Sequence, residues 1–384
     1  MEETRFRRLV EESGCDALLT FGADNFRYMT GATLPFPDDY PEKRAVSITP
    51  ADEGDTCAVV APPDWAQAIR DQGWLEPIEA YNENDGPYPS DVVKTLTKTL
   101  RGMGLSGAKL GFDAARTHAG LLEALRSTLE EAKLLPVDDW LTSARALKRP
   151  DEIALIENSC EYADRGIIHG LNHLEGTLWG PGYTLPEFAE RIRVHVFEDG
   201  ASGVGHLAVT MGDDTQLEYT PVRGDVEEEQ LLRCDVTSHS MGYWSANSRM
   251  AYTGEAPAEL EDSYYENQAL KAYAVDLLEP GARCDKIYTQ VRGEAEKMGM
   301  RLHGPIIGHG VGCSHFEAPY LTDGYPFELK VGNVIALGVA TLGPRREIIV
   351  DRDIYEITPQ KPRKLSWYRS WDRLYEVTGF RAVH

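Results

Sequence analysis

The chain has 384 residues, with 62 acidic against 39 basic side chains and a formal net charge of -23. Its length is more than twice the usual domain of about 150 residues, so two domains are expected and a single small binding module is excluded. The charge repels phosphate backbones and anionic bilayers, which argues against nucleic acid or a membrane as the main partner.

The first part of the chain alternates helix-like and strand-like segments. An opening helix is expected from Arg5 to Ser13, a buried strand at Ala17–Thr20, a loop around Gly31 and a strand at Arg44–Ile48. Cys57–Ala61 is a further apolar run, Pro89–Met103 a helix, Lys109–Phe112 a strand and Leu121–Glu131 a helix, an order that reads as α/β. At Ala146-Leu-Lys148-Arg149-Pro150-Asp151-Glu152 the texture changes, and Ile153, Ile156, Cys160, Ala163 and Ile167 continue at helical spacing. We place the domain boundary there, giving domains at 1–146 and 147–360. The second shows a helix at Thr184–Glu198 and strands at His206–Met211, Leu231–Ser240, Tyr243–Thr253, Val334–Leu342 and Ile348–Ile357, an α+β pattern. The last segment, 361–384, is rich in Trp, Arg and Tyr and reads as a surface-packed tail or an oligomer contact.

Hydrophobic residues make up 42% of the chain, enough for large cores, and no apolar run reaches the roughly 18 residues of a membrane helix. The start lacks the basic-then-apolar pattern of a signal peptide, so the cytoplasm is the expected compartment. Lys numbers 12 against 27 Arg, and an acidic, lysine-poor composition fits either a halophile or an ordinary acidic cytoplasmic protein. The six cysteines form no C-x-x-C pair and read as reduced, mostly buried thiols.

Reactive side chains concentrate in the second domain. In Gly308-His309-Gly310-Val311-Gly312-Cys313-Ser314-His315-Phe316-Glu317, glycines flank an imidazole, which suits close approach of a ligand, and a second imidazole and a carboxylate follow. Arg233–His239 and Gly242–Arg249 look like a hairpin turning near Met241-Gly242, with Asp235, Thr237 and His239 on one face. A carboxylate in an otherwise apolar strand needs a partner or a cation, which makes Asp235 a site candidate.

With these residues stated, the chain resembles the methionine aminopeptidase, prolidase and creatinase superfamily with its pita-bread fold, and is most similar to the Xaa-Pro peptidase and creatinase branch. The resemblance rests on Asn25-Phe-Arg-Tyr28-Met-Thr-Gly31, Lys148-Arg149-Pro150-Asp151-Glu152-Ile153, Glu279-Pro280-Gly281, the Gly308–Gly312 motif with Glu317-Ala-Pro319, and Leu329-Lys-Val-Gly332-Asn-Val334. It implies an α/β N-terminal domain (creatinase-like, ribonuclease H-like) and an α+β pita-bread C-terminal domain. It also implies two divalent ions held by two Asp, one His and two Glu.

Carried over by position, the first aspartate falls on Asp235 and the histidine on His309. The second aspartate falls on Ala246, one glutamate on Gly338, and the last glutamate within Val350-Asp351-Arg352-Asp353, where only an aspartate in a shifted register could stand in. The proton-transferring histidine falls on Tyr219, the histidine before Glu-x-Pro falls on Phe316 with His315 one position early, and the creatinase glutamates fall on Ser248 and Gly338. A dinuclear centre is therefore not expected; no cofactor is expected, and a single divalent metal at Asp235 and His309 stays open.

The residues left for chemistry are His309, His315, Glu317 and Tyr219 as catalytic candidates, with Asp235, Thr237, His239, His206 and Arg44 as substrate-binding candidates and Asp351 as an outside possibility. A neutral His309 oriented by Asp235 or Glu317 could abstract a proton or activate water, and an acidic pocket would favour a cationic or zwitterionic substrate. Three readings follow: an enzyme acting on a small amino-acid-like compound by C–N hydrolysis or elimination, a non-catalytic binding protein, or an Xaa-Pro dipeptidase or aminopeptidase taking a dipeptide-like substrate. The resemblance implies a homodimer, with Arg27, Tyr40 and Arg44 the N-terminal residues to watch.

Overall fold

The computed structural model describes all residues except 1, 36–43, 83–85, 87, 177–182, 218–219, 367–372 and 379–384. Tyr40 and Tyr219 fall outside the described residues. The chain divides into two compact units, Met1–Arg145 and Ala146–His384.

The first unit is built on a mixed six-stranded sheet ordered Ile78–Ala80, Ala58–Ala61, Val46–Pro50, Ala17–Thr20, Lys109–Phe112, Lys133–Pro136. Ala17–Thr20 pairs antiparallel with Val46–Pro50 and parallel with Lys109–Phe112. Alternate side chains of Ala58–Ala61 enter different cores, as period-two geometry requires. Ala58 and Val60 join Leu96 and Leu100 on one face, while Val59 and Ala61 join Trp65 and Ile69 on the other. The expected loop near Gly31 follows a helix that the reading above omits, Ala23–Thr30, which Gly31 ends at φ 81°, a conformation suited to glycine. This helix carries the Asn-Phe-Arg-Tyr motif. The Asn25 amide donates to Asp113 at 3.0 Å and accepts from Arg145 at 2.7 Å, and the Tyr28 hydroxyl donates to the Ala144 carbonyl at 3.2 Å. The motif is a brace of its own unit.

The second unit holds two larger sheets, each covered by a helix pair. In one, Leu231–Ser240 lies between Gly203–Met211 and Asn247–Thr253. The helices Pro150–Gly176 and Leu185–Glu198 bury Ile167, Leu171, Phe188 and Ile192 against Val209, Leu232, Cys234 and Val236. A reciprocal capping box at Thr184 and Glu187 starts the second helix. The other sheet is ordered Glu317–Thr322, Ile306–Gly310, Val334–Leu337, Asp353–Glu356, Arg363–Lys364. It is covered by Ala258–Asp276 and Cys284–Lys297, two helices in a stretch left unassigned above. The first of these turns Leu260, Tyr264, Asn267, Leu270, Lys271 and Ala274 inward, so polar residues at core positions break its apolar period.

Three expected strands are shorter than their apolar runs. Tyr243–Thr253 is interrupted at Ser245-Ala246, Val334–Leu342 after Leu337, and Ile348–Ile357 between Ile349 and Asp353. In the C-terminal segment, Arg363–Lys364 pairs with Asp353–Glu356, and Tyr375–Val377 pairs parallel with Asn247–Thr253, so its described part packs on the unit by adding an edge strand to each sheet.

Candidate active site

A cavity of about 690 Å³ in the second unit is lined by residues of both sheets, among them His206, Arg233, Asp235, Thr237, Ala246, His309, His315, Phe316, Gly338 and Arg352. Asp235 and Thr237 point into it from alternate positions of Leu231–Ser240. The Thr237 hydroxyl accepts the His206 N–H at 2.6 Å and donates to the His206 carbonyl at 3.2 Å, across a register shift between Val204 and Leu207. It thereby fixes the backbone that presents the His206 imidazole.

His309 sits mid-strand and is buried. Its orienting partner is a carbonyl, that of Gly310 at 3.0 Å from Nδ1, and not the carboxylate expected from sequence. Since a carbonyl only accepts, Nδ1 carries the proton and Nε2 keeps its lone pair. Burial, then the charge of Arg352, push the His309 pKa down to about 3, so the ring is neutral at neutral pH. His315 is likewise held below its ordinary value, by desolvation, then His206 and Arg352.

The glycines around His309 are explained by strand packing, not by ligand approach. A Cβ on Gly310 would lie 2.3 Å from the Ala318 carbonyl oxygen, and one on Gly308 would lie 2.9 Å from Leu321 Cδ1 and 3.1 Å from the Ala336 carbonyl oxygen. Gly312 leaves room for a buried ion pair: Lys148 Nζ lies 2.8 Å from Glu317 Oε1, and a Cβ at 312 would come within 2.5 Å of that oxygen. Glu317 is thus tied to Lys148 and is not among the cavity-lining residues, which removes it from the catalytic candidates.

Other candidates are displaced too. His239 accepts the Gly242 N–H at 3.3 Å, packs on Trp244 with ring centroids 4.4 Å apart, and lies against Gly203, where a Cβ would meet its ring; it supports the hairpin turn. Arg44 belongs to the first unit, where its guanidinium lies 2.9 Å from His118 Nε2. Asp351 faces away from the cavity, buried with Tyr264 and Gln268.

Arg233 and Arg352 are the functional-site residues that sequence reasoning missed. Arg233 is buried, with Nε 3.0 Å from Asp235 Oδ2 and its other nitrogens donating to the carbonyls of Thr215 at 3.2 Å and Leu217 at 2.7 Å. Arg352 approaches the other Asp235 oxygen at 3.9 Å. The described lining thus sets two guanidiniums against one carboxylate, so the expectation of an acidic pocket is reversed. The signal available was strand alternation in Val350-Asp351-Arg352-Asp353: with both aspartates facing the core, the arginine faces the cavity.

The Metallopeptidase family M24 profile matches residues 154–359, and the Creatinase/Prolidase N-terminal domain profile matches residues 4–147. The chain belongs to metallopeptidase family M24. Its M24 unit follows a creatinase-type N-terminal domain, the architecture expected above. The peptidase YqhT of Bacillus subtilis, itself uncharacterized, is 23% identical over 343 residues, which cover 88% of this chain and 89% of that protein. The X-Pro aminopeptidase structure from Thermotoga maritima superposes with a TM-score of 0.83 at 17% identity, covering 97% and 99% of the two chains. The N-terminal domain of the FACT complex subunit SPT16 from chickpea superposes with a TM-score of 0.71 at 14% identity, covering 96% of each. Both likenesses establish fold, not activity.

The residues present do not fit the family's pair of metal ions. Ala246 and Gly338 offer no donor, Arg352 brings a positive charge, and Asp235 is engaged by Arg233. Among the described residues, no group of three or more His, Cys, Asp or Glu side chains is placed to hold a metal ion.

Proposed function

We propose that this M24 protein is a metal-independent enzyme acting on a small zwitterionic, amino-acid-like substrate by proton transfer, ending in C–N hydrolysis or elimination. The observation that carries the reading is the cavity itself, where four imidazoles, His206, His303, His309 and His315, line a space whose carboxylate is already paired with a guanidinium. His309 Nε2 offers a lone pair held in direction by the Nδ1 bond to Gly310. Its low pKa makes it a hydrogen-bond acceptor and weak base, and His315, the other catalytic candidate lining the cavity, is assigned to carry the proton, with His206 kept for substrate binding. Tyr219 keeps its proposed role from the sequence, outside the described residues.

Turnover of a panel of small amino-acid-derived amides and ureas, and of Xaa-Pro dipeptides, tests the reading when measured with a strong chelator present. The expected result is chelator-resistant turnover of a panel compound, lost in His315→Ala, with Xaa-Pro dipeptides uncleaved. Chelator-sensitive cleavage of Xaa-Pro bonds, with two equivalents of bound divalent metal, would overturn it in favour of a dipeptidase. A second reading, a non-catalytic binding protein, is supported by the loss of donors at Ala246 and Gly338 and by the shared fold of a protein named as a complex subunit. Absence of turnover across the panel favours that reading. The homodimer, the cytoplasmic location and adaptation to high salt belong to the same proposal, and sedimentation in dilute and in molar salt checks the first and last.

A further inference from the structure

Arg352 is a charged residue of the cavity that the proposed chemistry leaves unused. Its backbone is fixed with unusual redundancy: its N–H donates to the Ser248 carbonyl at 3.1 Å, and its own carbonyl accepts from Ser248 N at 3.4 Å and from Arg249 at 2.7 Å. The side chain then leaves the strand over Gly338. A Cβ at 338 would lie 2.9 Å from Arg352 Nε, 3.2 Å from Cγ and 3.3 Å from Cβ, so the absence of a side chain there is what gives the arginine its path into the cavity.

At the far end, the guanidinium makes no hydrogen bond among the described residues. Its nearest ionic neighbour, Asp235, stands 3.9 Å away and is already bonded by Arg233 at 3.0 Å. The side chain is 29% exposed, so the planar fork is in reach of a ligand yet partly desolvated. A fixed guanidinium with uncommitted N–H donors, in a cavity of the size that takes small molecules, matches a planar carboxylate in shape and charge.

We propose that Arg352 anchors the carboxylate of the molecule that occupies this cavity, with Gly338 providing its room and Arg233 keeping Asp235 from competing for it. This deepens the proposed function by naming the group through which the substrate is held, and it rests on that reading only for the identity of the site. Arg233 is a positioning residue, since its donors are committed to protein acceptors.

The test is calorimetric binding of N-acetylglycine, its neutral isostere N-acetylglycinamide, and inorganic phosphate to the full chain at constant ionic strength. Wild type is expected to bind N-acetylglycine about tenfold or more tightly than the amide, the value of a charge-assisted bidentate contact. Arg352→Gln is expected to erase the preference for acid over amide while retaining the wild-type melting temperature. Arg352→Lys recovers part of the preference, and Gly338→Ala, which keeps the arginine but crowds Nε, reduces it. A preference unchanged in Arg352→Gln, an amide bound as well as the acid, or no binding of N-acetylglycine to wild type overturns the inference. Phosphate bound more tightly than N-acetylglycine overturns the assignment to a carboxylate. Binding is read without turnover, so an Arg352-dependent carboxylate site in a protein that converts nothing keeps this inference and removes the proposed chemistry; turnover that is indifferent to Arg352 does the reverse.

Discussion

The Arg249 guanidinium donates to the Arg352 carbonyl, yet the two side chains live in opposite worlds. Behind segment 350–353, Arg249 is buried with Asp164 at 2.8 Å and Asp353 at 2.9 Å, and Asp353 also receives Lys271 at 2.9 Å and Lys364 at 3.1 Å. In front of it, Arg352 faces the cavity with only a distant, already engaged carboxylate. The first arginine is paired with carboxylates of the protein, and the second has its backbone fixed while its guanidinium lacks a close partner. A charge kept in the first manner maintains the fold, while one kept in the second is available to a ligand.

The sharpest way to break this comparison is Arg249→Met, which leaves Asp164 and Asp353 sharing fewer cations in the core. A loss of about 3–5 kcal/mol in denaturant unfolding is expected, and a loss below about 1 kcal/mol would show that the network is not closed. Lys148→Met removes the cation from the buried Glu317 ion pair, and about 3 kcal/mol should be lost.

The cavity side responds to pH instead. His309 has a folded pKa near 3 against about 6.5 for an unfolded histidine, so the unfolded chain takes up a proton that the folded chain refuses. Its contribution therefore falls as pH drops below about 6.5. Wild type should lose about 2–3 kcal/mol more than His309→Asn between about pH 7 and about pH 4.5, measured by chemical denaturation at both values. Equal losses in the two proteins would mean that His309 is not desolvated. The smallest effect belongs to Arg352→Gln, whose stability should stay within about 0.5 kcal/mol of wild type because the side chain has no close partner to lose. A large drop would place Arg352 with Arg249, among the residues that maintain the fold.

Much of the fold was legible because several motifs that reveal it are packing devices. Gly308 and Gly310 admit neighbouring strands, Asn25 braces a helix to Asp113, and Gly312 clears a space for Lys148 and Glu317. The same fact misled the reading of the site: Glu317 and His239 carry reactive groups, yet their partners are other protein atoms. The helix Ala258–Asp276 escaped notice because Asn267 and Lys271 occupy core-facing positions, where Lys271 serves the ion network. Arg352 is hard to read from sequence because the aspartates on either side of it are the residue type that holds a metal, yet both face the core and the arginine between them faces the cavity.

Gly338 also couples two positions of this cavity. An arginine at 352 in its observed path and a side chain at 338 draw on one volume, so substitutions at the two positions are not expected to add. A larger residue at 338 moves the guanidinium, and a shorter residue at 352 makes room at 338. The two positions therefore act as one unit in setting how much of the cavity a cation of the protein fills and how much is left to a ligand.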